Sequence, residues 1–418
     1  MNIKSKLKVI MFLQFFIWGS WLITLGSYMI EKLGFTGIEV GSVYGTMGIA
    51  SLIMPSLLGI VADRWMPANR LYMLCHLIGA VTLCLAASIT TPGLMTFVML
   101  IHCLAYMPTI AISNSVSYFC LESEKYDVVN DFPAIRVFGT IGFIVAMWAV
   151  GFLELKGSNI QLYIGAVASI LLCLVALTLP HISVSTKNIN EKQSIVSLLG
   201  LDAFVLLKQP RMAIFFLFAV LLGAVLQITN TFGDPFIGDF AKNPVFADSL
   251  VVKYSPILLS ISQISEVVFI LFVPFFLRRF GIKYVMLISM IAWMLRFGLF
   301  AFGDPSPIGF IWLLLSMIVY GCAFDFYNIS GSIYVEKTVE PKIRNSAQGL
   351  FMAMTNGVGA YIGSMGSGWV VDYFTTNGVK DWSSIWFVFA GYSLLIAVIF
   401  MVAFKNDDKE FAVTAQAN

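Results

Sequence analysis

The sequence predicts an all-α membrane protein with 12 transmembrane helices in two pseudo-symmetric six-helix halves. Of its 418 residues, 59% are hydrophobic and 11% are charged, whereas a typical soluble domain carries about 25% charged residues. Apolar runs recur along the whole chain, and a run of about 20 residues is long enough to cross a bilayer as a helix. The runs of the first half are echoed in the second half, which predicts an internal repeat.

Twelve apolar runs are long enough to be spans. They cover residues 8–30, 41–62, 70–90, 94–117, 133–153, 161–179, 211–233, 254–277, 284–303, 308–333, 345–370 and 383–404. The longest polar segment lies between the sixth and seventh runs. It predicts an N-terminal six-helix bundle at 1–180, a cytoplasmic linker loop at 181–210, and a C-terminal six-helix bundle at 211–418 with a short cytoplasmic tail.

The distribution of lysine and arginine predicts the orientation in the membrane. With the N-terminus in the cytoplasm, 18 of the 25 basic residues fall in inside segments, five fall in outside loops and two fall within spans. Because basic residues are enriched in cytoplasmic loops, both termini are predicted to be cytoplasmic.

The charged ends of two spans indicate a specific architecture. Asp63 and Arg64 close span two, and Arg278 closes span eight, 214 residues after Arg64 and so about half the chain away. Two six-span halves related in this way are the architecture of the major facilitator fold. The segment of Gly59, Asp63, Arg64 and Arg70 also resembles the loop signature of that superfamily, although 66–68 reads MPA where a Gly-Arg pair is common.

Several function classes are disfavoured by what the sequence contains. No basic block suggests a nucleic-acid partner, and the six cysteines lie in or beside apolar runs without CxxC spacing, as buried small hydrophobes do. The three histidines have neither metal-ligand nor catalytic spacing. The sequence has no HExxH, GxSxG or P-loop motif, so we expect neither an enzyme nor an ATP-driven pump, and we expect no metal and no organic cofactor.

Spans seven and eight carry polar side chains at positions where a membrane span usually has apolar ones. Gln227 and Asn230 lie three residues apart, as do Gln263 and Glu266, so each pair shares one helix face. Amides and a carboxylate supply the donors and acceptors that a polyhydroxy or heterocyclic solute needs. A carboxylate at this depth is costly and usually functional. The other interpretation is that the amides only join helices, at about 0.6 kcal/mol each.

Span ten combines aromatic rings with a carboxylate. Tyr320, Phe324 and Tyr327 follow a helical i, i+4, i+7 spacing, and such a face can stack on a nucleobase or a sugar, although packing is the commoner role. Asp325 lies between these rings. Because burial disfavours its anion, Asp325 is a candidate proton carrier. A permanent ion pair with Arg296 of span nine is the competing interpretation.

Span five presents a cation, a hydroxyl and a ring on one face, through Arg136, Thr140 and Phe143. Together they could hold a polar, planar solute. Arg136 could instead reach the nearby interface with its charged end. In span one, Trp18 also faces inward by spacing, but tryptophan is common near membrane interfaces, and we expect it to be structural.

Two spans carry glycines four residues apart, a spacing that allows close helix approach. They are Gly41 and Gly45 in span two, and Gly359 and Gly363 in span eleven. These spans occupy matching places in the two halves. The pattern fits helices that slide against the opposite half, and it fits simple tight packing equally well.

Several longer stretches carry a family resemblance. They are FLQFFIWGSW at 12–21, DFPAIRVFGTIGF at 131–143, LQITN at 226–230, YGCAFDF at 320–326 and SAQG at 346–349. From end to end the chain resembles the bacterial nucleoside:proton symporter family of the major facilitator superfamily. Within that family it is similar to enterobacterial members that carry nucleosides, xanthosine among them. The tail after Phe404 looks divergent.

The resemblance implies a multi-pass protein of the bacterial inner membrane that co-transports a nucleoside inward with protons as the coupling ion. It also implies a central site shared by spans five, seven, eight and ten. It places the substrate-binding residues at Arg136, Thr140, Phe143, Gln227, Asn230, Gln263, Glu266, Tyr320 and Phe324, and proton coupling at Asp325 or Glu266. The expected partners are the nucleoside, protons and membrane lipid, and the expected state is a monomer. Xanthosine and uridine are candidate substrates.

Three other functions remain open from the residues alone. A proton-coupled sugar or oligosaccharide symporter would use the same polar and aromatic side chains, and competition between sugars and nucleosides for uptake separates the two. A sensor would bind its solute without counterflow. A membrane enzyme would need a nucleophile and a base, and no such pair can be named.

Overall fold

The computed structural model describes residues 2–180, 201–341 and 343–404. The first part of the predicted linker, 181–200, and the predicted tail, 405–418, lie outside the described residues, as do the side chains of Asp63 and Arg64. Nearly all of the described chain is helical. The fifteen α-helices of the described part are α1 Ile3–Gly19, α2 Leu25–Glu31, α3 Gly37–Arg64, α4 Ala68–Ala86, α5 Pro92–Ser123, α6 Val128–Phe152, α7 Ile160–Ala176, α8 Pro210–Asp239, α9 Leu250–Lys253, α10 Ser255–Ile270, α11 Val273–Phe302, α12 Pro307–Thr338, α13 Arg344–Met352, α14 Ala360–Tyr373 and α15 Trp382–Ala403.

Short elements complete the described fold. They are the 3₁₀ helices Leu201–Lys208 and Phe240–Lys242, a π-helical segment Ala353–Gly359, and an antiparallel hairpin of β1 Thr375–Thr376 and β2 Val379–Lys380. The linker prediction was wrong at its end. Instead of a loop to residue 210, Leu201–Lys208 forms a helix that packs against α8 and α13, with Ala203 and Leu206 buried.

Every predicted span falls on a described helix or a broken helix. Within the described ranges, eight helices are long and apolar enough to cross a membrane, and they correspond to spans two, three, four, five, seven, nine, ten and twelve. The other four spans are short or interrupted. Span six is α7, with 17 residues, and span eleven runs through α13, the π-helical segment and α14.

Span one is broken where the sequence predicts a continuous helix. α1 ends at Gly19 and α2 begins at Leu25. The turn between them contains backbone hydrogen bonds that span three residues, as in a 3₁₀ helix. They run from the Trp21 amide to the Trp18 carbonyl at 3.3 Å and from the Thr24 amide to the Trp21 carbonyl at 3.2 Å. The break is tolerated because it is buried within the protein.

Span eight also departs from prediction. α10 ends at Ile270, well before residue 277, and the chain turns into the first part of α11. Gly281 then interrupts α11 with φ 75° and ψ 170°, a conformation that is essentially restricted to glycine. The predicted span eight therefore ends in the first segment of α11, which lies between the end of α10 and Gly281.

The two halves meet on the predicted outer face, and we call these contacts the outer interface. α3 packs against α14, α2 against α8, and α6 against α10. A Cβ added at Gly41 would lie 2.3 Å from the Ser364 carbonyl oxygen, so glycine permits this approach. By contrast, a Cβ at Gly363 would lie 2.2 Å from the Ala224 carbonyl oxygen within its own half. The glycines of span two thus serve the interface, and Gly363 serves internal packing.

On the predicted cytoplasmic face the halves enclose a cavity of about 770 Å³. Leu52 and Ser56 of α3 line it from one side, and Asn345 and Gly349 of α13 line it from the other. The structure is therefore closed at the predicted outer face and open between the halves at the opposite face.

Candidate functional site

Arg136 of α6 points into the protein. Its guanidinium carbon lies 4.2 Å from the centre of the Phe15 ring of α1, and its charge interacts with that of Glu266 on α10. These contacts hold the side chain inside the bundle, so it does not extend to the nearby interface. Arg136 thus brings a cation from the N-terminal half towards a carboxylate of the C-terminal half.

Glu266 of α10 is coupled electrostatically to polar side chains on two other helices. It interacts electrostatically with Arg136 and with Asp325 of α12. The Tyr320 hydroxyl lies beside the Gln263 side chain, within electrostatic reach of both carboxylates. Five of the predicted site residues therefore converge: a cation, two carboxylates, an amide and a phenol.

Tyr320 and Phe324 form an aromatic pair on α12. Their ring centres are 5.9 Å apart with an angle of 1° between the ring planes, and Trp293 of α11 meets Tyr320 edge-on at 5.8 Å. Phe324 and Trp293 also line a cavity of about 20 Å³ with Leu226, which holds about one water molecule. We call Tyr320 and Phe324 the aromatic platform. The two rings are stacked on each other, and the edge contact places Tyr320 against α11.

Asp325 has no ion-pair partner among the residues that the structure describes. It is 5% exposed, and its Oδ2 atom has no hydrogen-bond partner. Arg296 donates instead to the Ser262 hydroxyl at 3.2 Å and to the Ser316 carbonyl at 3.0 Å. The geometry thus argues against the permanent ion pair. An unpaired buried carboxyl favours its neutral form, as a proton carrier requires.

The remaining predicted residues are buried or half-buried on α6 and α8. Gln227 of α8 is buried and its Oε1 atom has no partner, while Asn230 is half-buried one turn further along. Thr140 of α6 is half-buried and Phe143 is buried. An unsatisfied buried amide oxygen is a feature that calls for an explanation, and a solute hydroxyl or ring N–H would satisfy it.

Two aromatic residues of α1 belong to this environment, and sequence reasoning missed or discounted them. Phe15 lies against Arg136, and Trp18 meets the Phe143 ring edge-on at 6.2 Å. The spacing within span one showed that Trp18 faces inward. It gave no indication that this face packs on α6. Gln14, which also faces inward, accepts hydrogen bonds from Tyr72 at 2.6 Å and donates to Thr109 at 2.8 Å, so it anchors α1.

Among the described residues, no group of three or more His, Cys, Asp or Glu side chains could hold a metal ion. All six cysteines are free. The side chains of the site are suited to hydrogen bonding and ring stacking, and its two carboxyl groups are the candidates for proton exchange.

Comparison with known proteins assigns the family. The family model described as "Nucleoside H+ symporter" matches residues 1–409. The chain belongs to this family. It is 65% identical to the xanthosine permease of Escherichia coli K12 over 411 residues, covering 98% of each protein. It is 57% identical to the nucleoside permease NupG of the same organism, covering 97% of this chain and 96% of NupG.

Solved structures agree on the fold. The crystal structure of nucleoside transporter NupG superposes with a TM-score of 0.93 at 56% identity, and covers 97% of this chain and 100% of that one. A POT family peptide transporter superposes with a TM-score of 0.72 at 12% identity, covering 96% of each chain, which shows the fold alone. The protein has the major facilitator fold. It is a multi-pass membrane transporter, and its relatives are permeases, not enzymes.

Proposed function

We propose that this protein carries nucleosides, xanthosine among them, inward across the bacterial inner membrane together with protons. Both termini are proposed to face the cytoplasm, and the working unit is a monomer. The observation that carries the proposal is the convergence of Arg136 from one half with Glu266, Asp325, Gln263 and Tyr320 from the other. A solute held between these groups contacts both halves at once.

Each part of a nucleoside has a matching group in the site. The flat base stacks on the aromatic platform or on Phe143, since aromatic faces pair with planar rings. Gln227, Asn230 and Gln263 exchange hydrogen bonds with the base edge and the ribose hydroxyls, with Thr140 as a further hydroxyl. Arg136 and Glu266 add charged partners, whose hydrogen bonds are stronger than neutral ones.

Proton coupling is proposed to reside on Asp325, with Glu266 as the alternative carrier. Two nearby carboxylates disfavour simultaneous ionisation, so one of them takes up a proton readily when the site faces the acidic side. Loss of that proton to the cytoplasm resets the carrier. One proton moved through 100 mV contributes about 2.3 kcal/mol, enough for about fifty-fold accumulation if coupling is one to one.

Alternating access is the proposed mode of transport. The described state is closed at the outer interface and has a cavity between the halves on the opposite face. Release of a solute on that side would be followed by rocking of the two halves, which opens the outer interface and presents the site outward.

Uptake measurements test this function. Cells without their own nucleoside carriers, expressing this protein, should accumulate labelled xanthosine and uridine, and a protonophore should abolish the accumulation. Unlabelled nucleosides should compete, and maltose or lactose should not. Competition by the sugars alone would identify a sugar symporter, and uptake that ignores the protonophore would exclude proton coupling.

A further inference from the structure

Arg296 is a buried cation without a carboxylate partner. Arg296 is 3% exposed and lies in the second segment of α11, inside predicted span nine, and no ion pair within the described part of the chain includes it. A charge at this depth is expensive and is usually kept for a function.

The hydrogen bonds of Arg296 do not explain why the side chain is charged. The guanidinium donates from Nη1 to the Ser262 hydroxyl and to the Ser316 carbonyl, and the Nε atom has no partner. A neutral amide could make both of these bonds at a lower desolvation cost. Helix joining alone therefore does not account for an arginine here.

The ring contacts of Arg296, by contrast, favour a cation. Its guanidinium carbon lies 4.5 Å from the centre of the Tyr320 ring and 5.2 Å from that of Phe300. A guanidinium within about 6 Å of a ring centre is attracted to the ring face, most strongly where water is excluded. The contact with Tyr320 is shorter than those with Phe300 and with Trp293, which lies at 6.0 Å, and the Phe324 ring stacks on Tyr320.

We infer that Arg296 is a positioning residue for nucleoside recognition, holding the Tyr320 ring by a cation–π contact so that the aromatic platform is preset to stack on the base. This inference deepens the proposed function and rests on it. Arg296 acts through Tyr320 and does not touch the solute. Without the cation, Tyr320 keeps its edge contact with Trp293, its stacking on Phe324 and its hydroxyl contact with Gln263. The ring is then held less firmly, so part of the binding free energy goes to ordering it.

A double-mutant cycle on the purified protein tests the inference. Dissociation constants for xanthosine and uridine are measured for the wild type, Arg296→Met, Tyr320→Leu and the double variant. Arg296→Met is expected to raise Kd about tenfold. In the Tyr320→Leu background the same change should have almost no further effect, because the residue through which it acts is gone.

Phe300→Leu is the matched control, because Phe300 contacts the same guanidinium away from the platform. It should leave Kd within about twofold of the wild type even if it lowers the melting temperature as much as Arg296→Met. Where Arg296→Met does not fold, Arg296→Lys replaces it in the cycle. Lysine keeps the charge but not the planar group, so about a threefold rise is expected, again absent in the Tyr320→Leu background.

The possible results distinguish a failure of the Arg296 positioning role from a failure of nucleoside binding itself. An equal rise of Kd in both backgrounds would show that Arg296 acts elsewhere. If Tyr320→Leu weakens binding and neither Arg296 variant does, the positioning role fails and the proposed function stands. A wild-type protein that binds no nucleoside overturns both.

Discussion

One carboxylate, that of Asp372, links the two halves at the outer interface, and we call this contact the latch. Asp372, near the end of α14, accepts hydrogen bonds from the first backbone amides of α3 in the other half, from Gly37 at 2.6 Å and from Ile38 at 2.8 Å. The N-terminal amides of a helix have no partner within the helix and carry partial positive charge. A carboxylate of one half therefore caps a helix of the other half.

The change Asp372→Asn should weaken closure of the outer interface. Asparagine keeps one acceptor oxygen but turns an NH₂ group towards the second amide, and it removes the charge. A hydrogen bond to a charged group contributes about 1.5–3 kcal/mol, and the helix dipole adds about 0.3–1 kcal/mol. Since Asp372 is half-buried and one bond remains, the closed state should lose about 1–2 kcal/mol, which is roughly a 5- to 30-fold shift towards the outward-open state.

Electron-spin distance measurements can read this shift. Labels at Thr90 and Val379, exposed positions on the predicted outer face of opposite halves, would be attached in a variant whose six cysteines are replaced. Asp372→Asn should increase the long-distance population. Asp381→Asn is the matched control, because Asp381 caps α15 within its own half, accepting from the Ser384 amide at 3.1 Å. An Asp372→Asn distribution identical to that of the wild type would refute the latch.

Two further predictions concern the same interface. Desolvation, and after it the negative charge of Asp234, raise the pKa of Glu31 in the closed state. Protonation of Glu31 therefore favours closure, and this contribution is lost as the pH rises from the ordinary glutamate pKa through the raised one. The same label distances should depend on pH in the wild type and depend less on pH in Glu31→Gln. Gly48→Leu should lower the uptake rate at least tenfold, because its Cβ would lie 2.6 Å from the Gly357 carbonyl oxygen and overpacking opposes closure. Gly366→Leu, whose Cβ would meet no atom within 4 Å, should transport normally. Equal uptake rates for the two variants would show that the close approach at Gly48 is not needed for transport.

Much of this fold follows from the sequence because a membrane leaves few choices. Buried backbone in hydrocarbon must form helices, so apolar runs locate the spans, and all twelve predicted runs fall on helical segments. The breaks were not predictable in the same way. The turn after Gly19 and the π-helical segment Ala353–Gly359 carry no proline, and neighbouring helices stabilise them.

The site was predictable in its residue types and less so in its pairings. Spacing of three and four residues showed which side chains share a face, and the structure brings Gln263, Glu266, Tyr320 and Asp325 together. Spacing within one helix does not show which helix lies opposite. The sequence left open an ion pair between Arg296 and Asp325. Only the tertiary structure shows that Arg296 contacts the Tyr320 ring instead.

The most direct test of the account is uptake of labelled xanthosine by wild type and Asp325→Asn, with and without a protonophore, alongside counterflow in the same cells. Asparagine is nearly isosteric with aspartate and cannot exchange a proton. The account predicts that Asp325→Asn and the protonophore each abolish accumulation, and that binding and counterflow persist in the variant. Accumulation by Asp325→Asn that still responds to the protonophore would contradict the role of Asp325 and transfer proton coupling to Glu266.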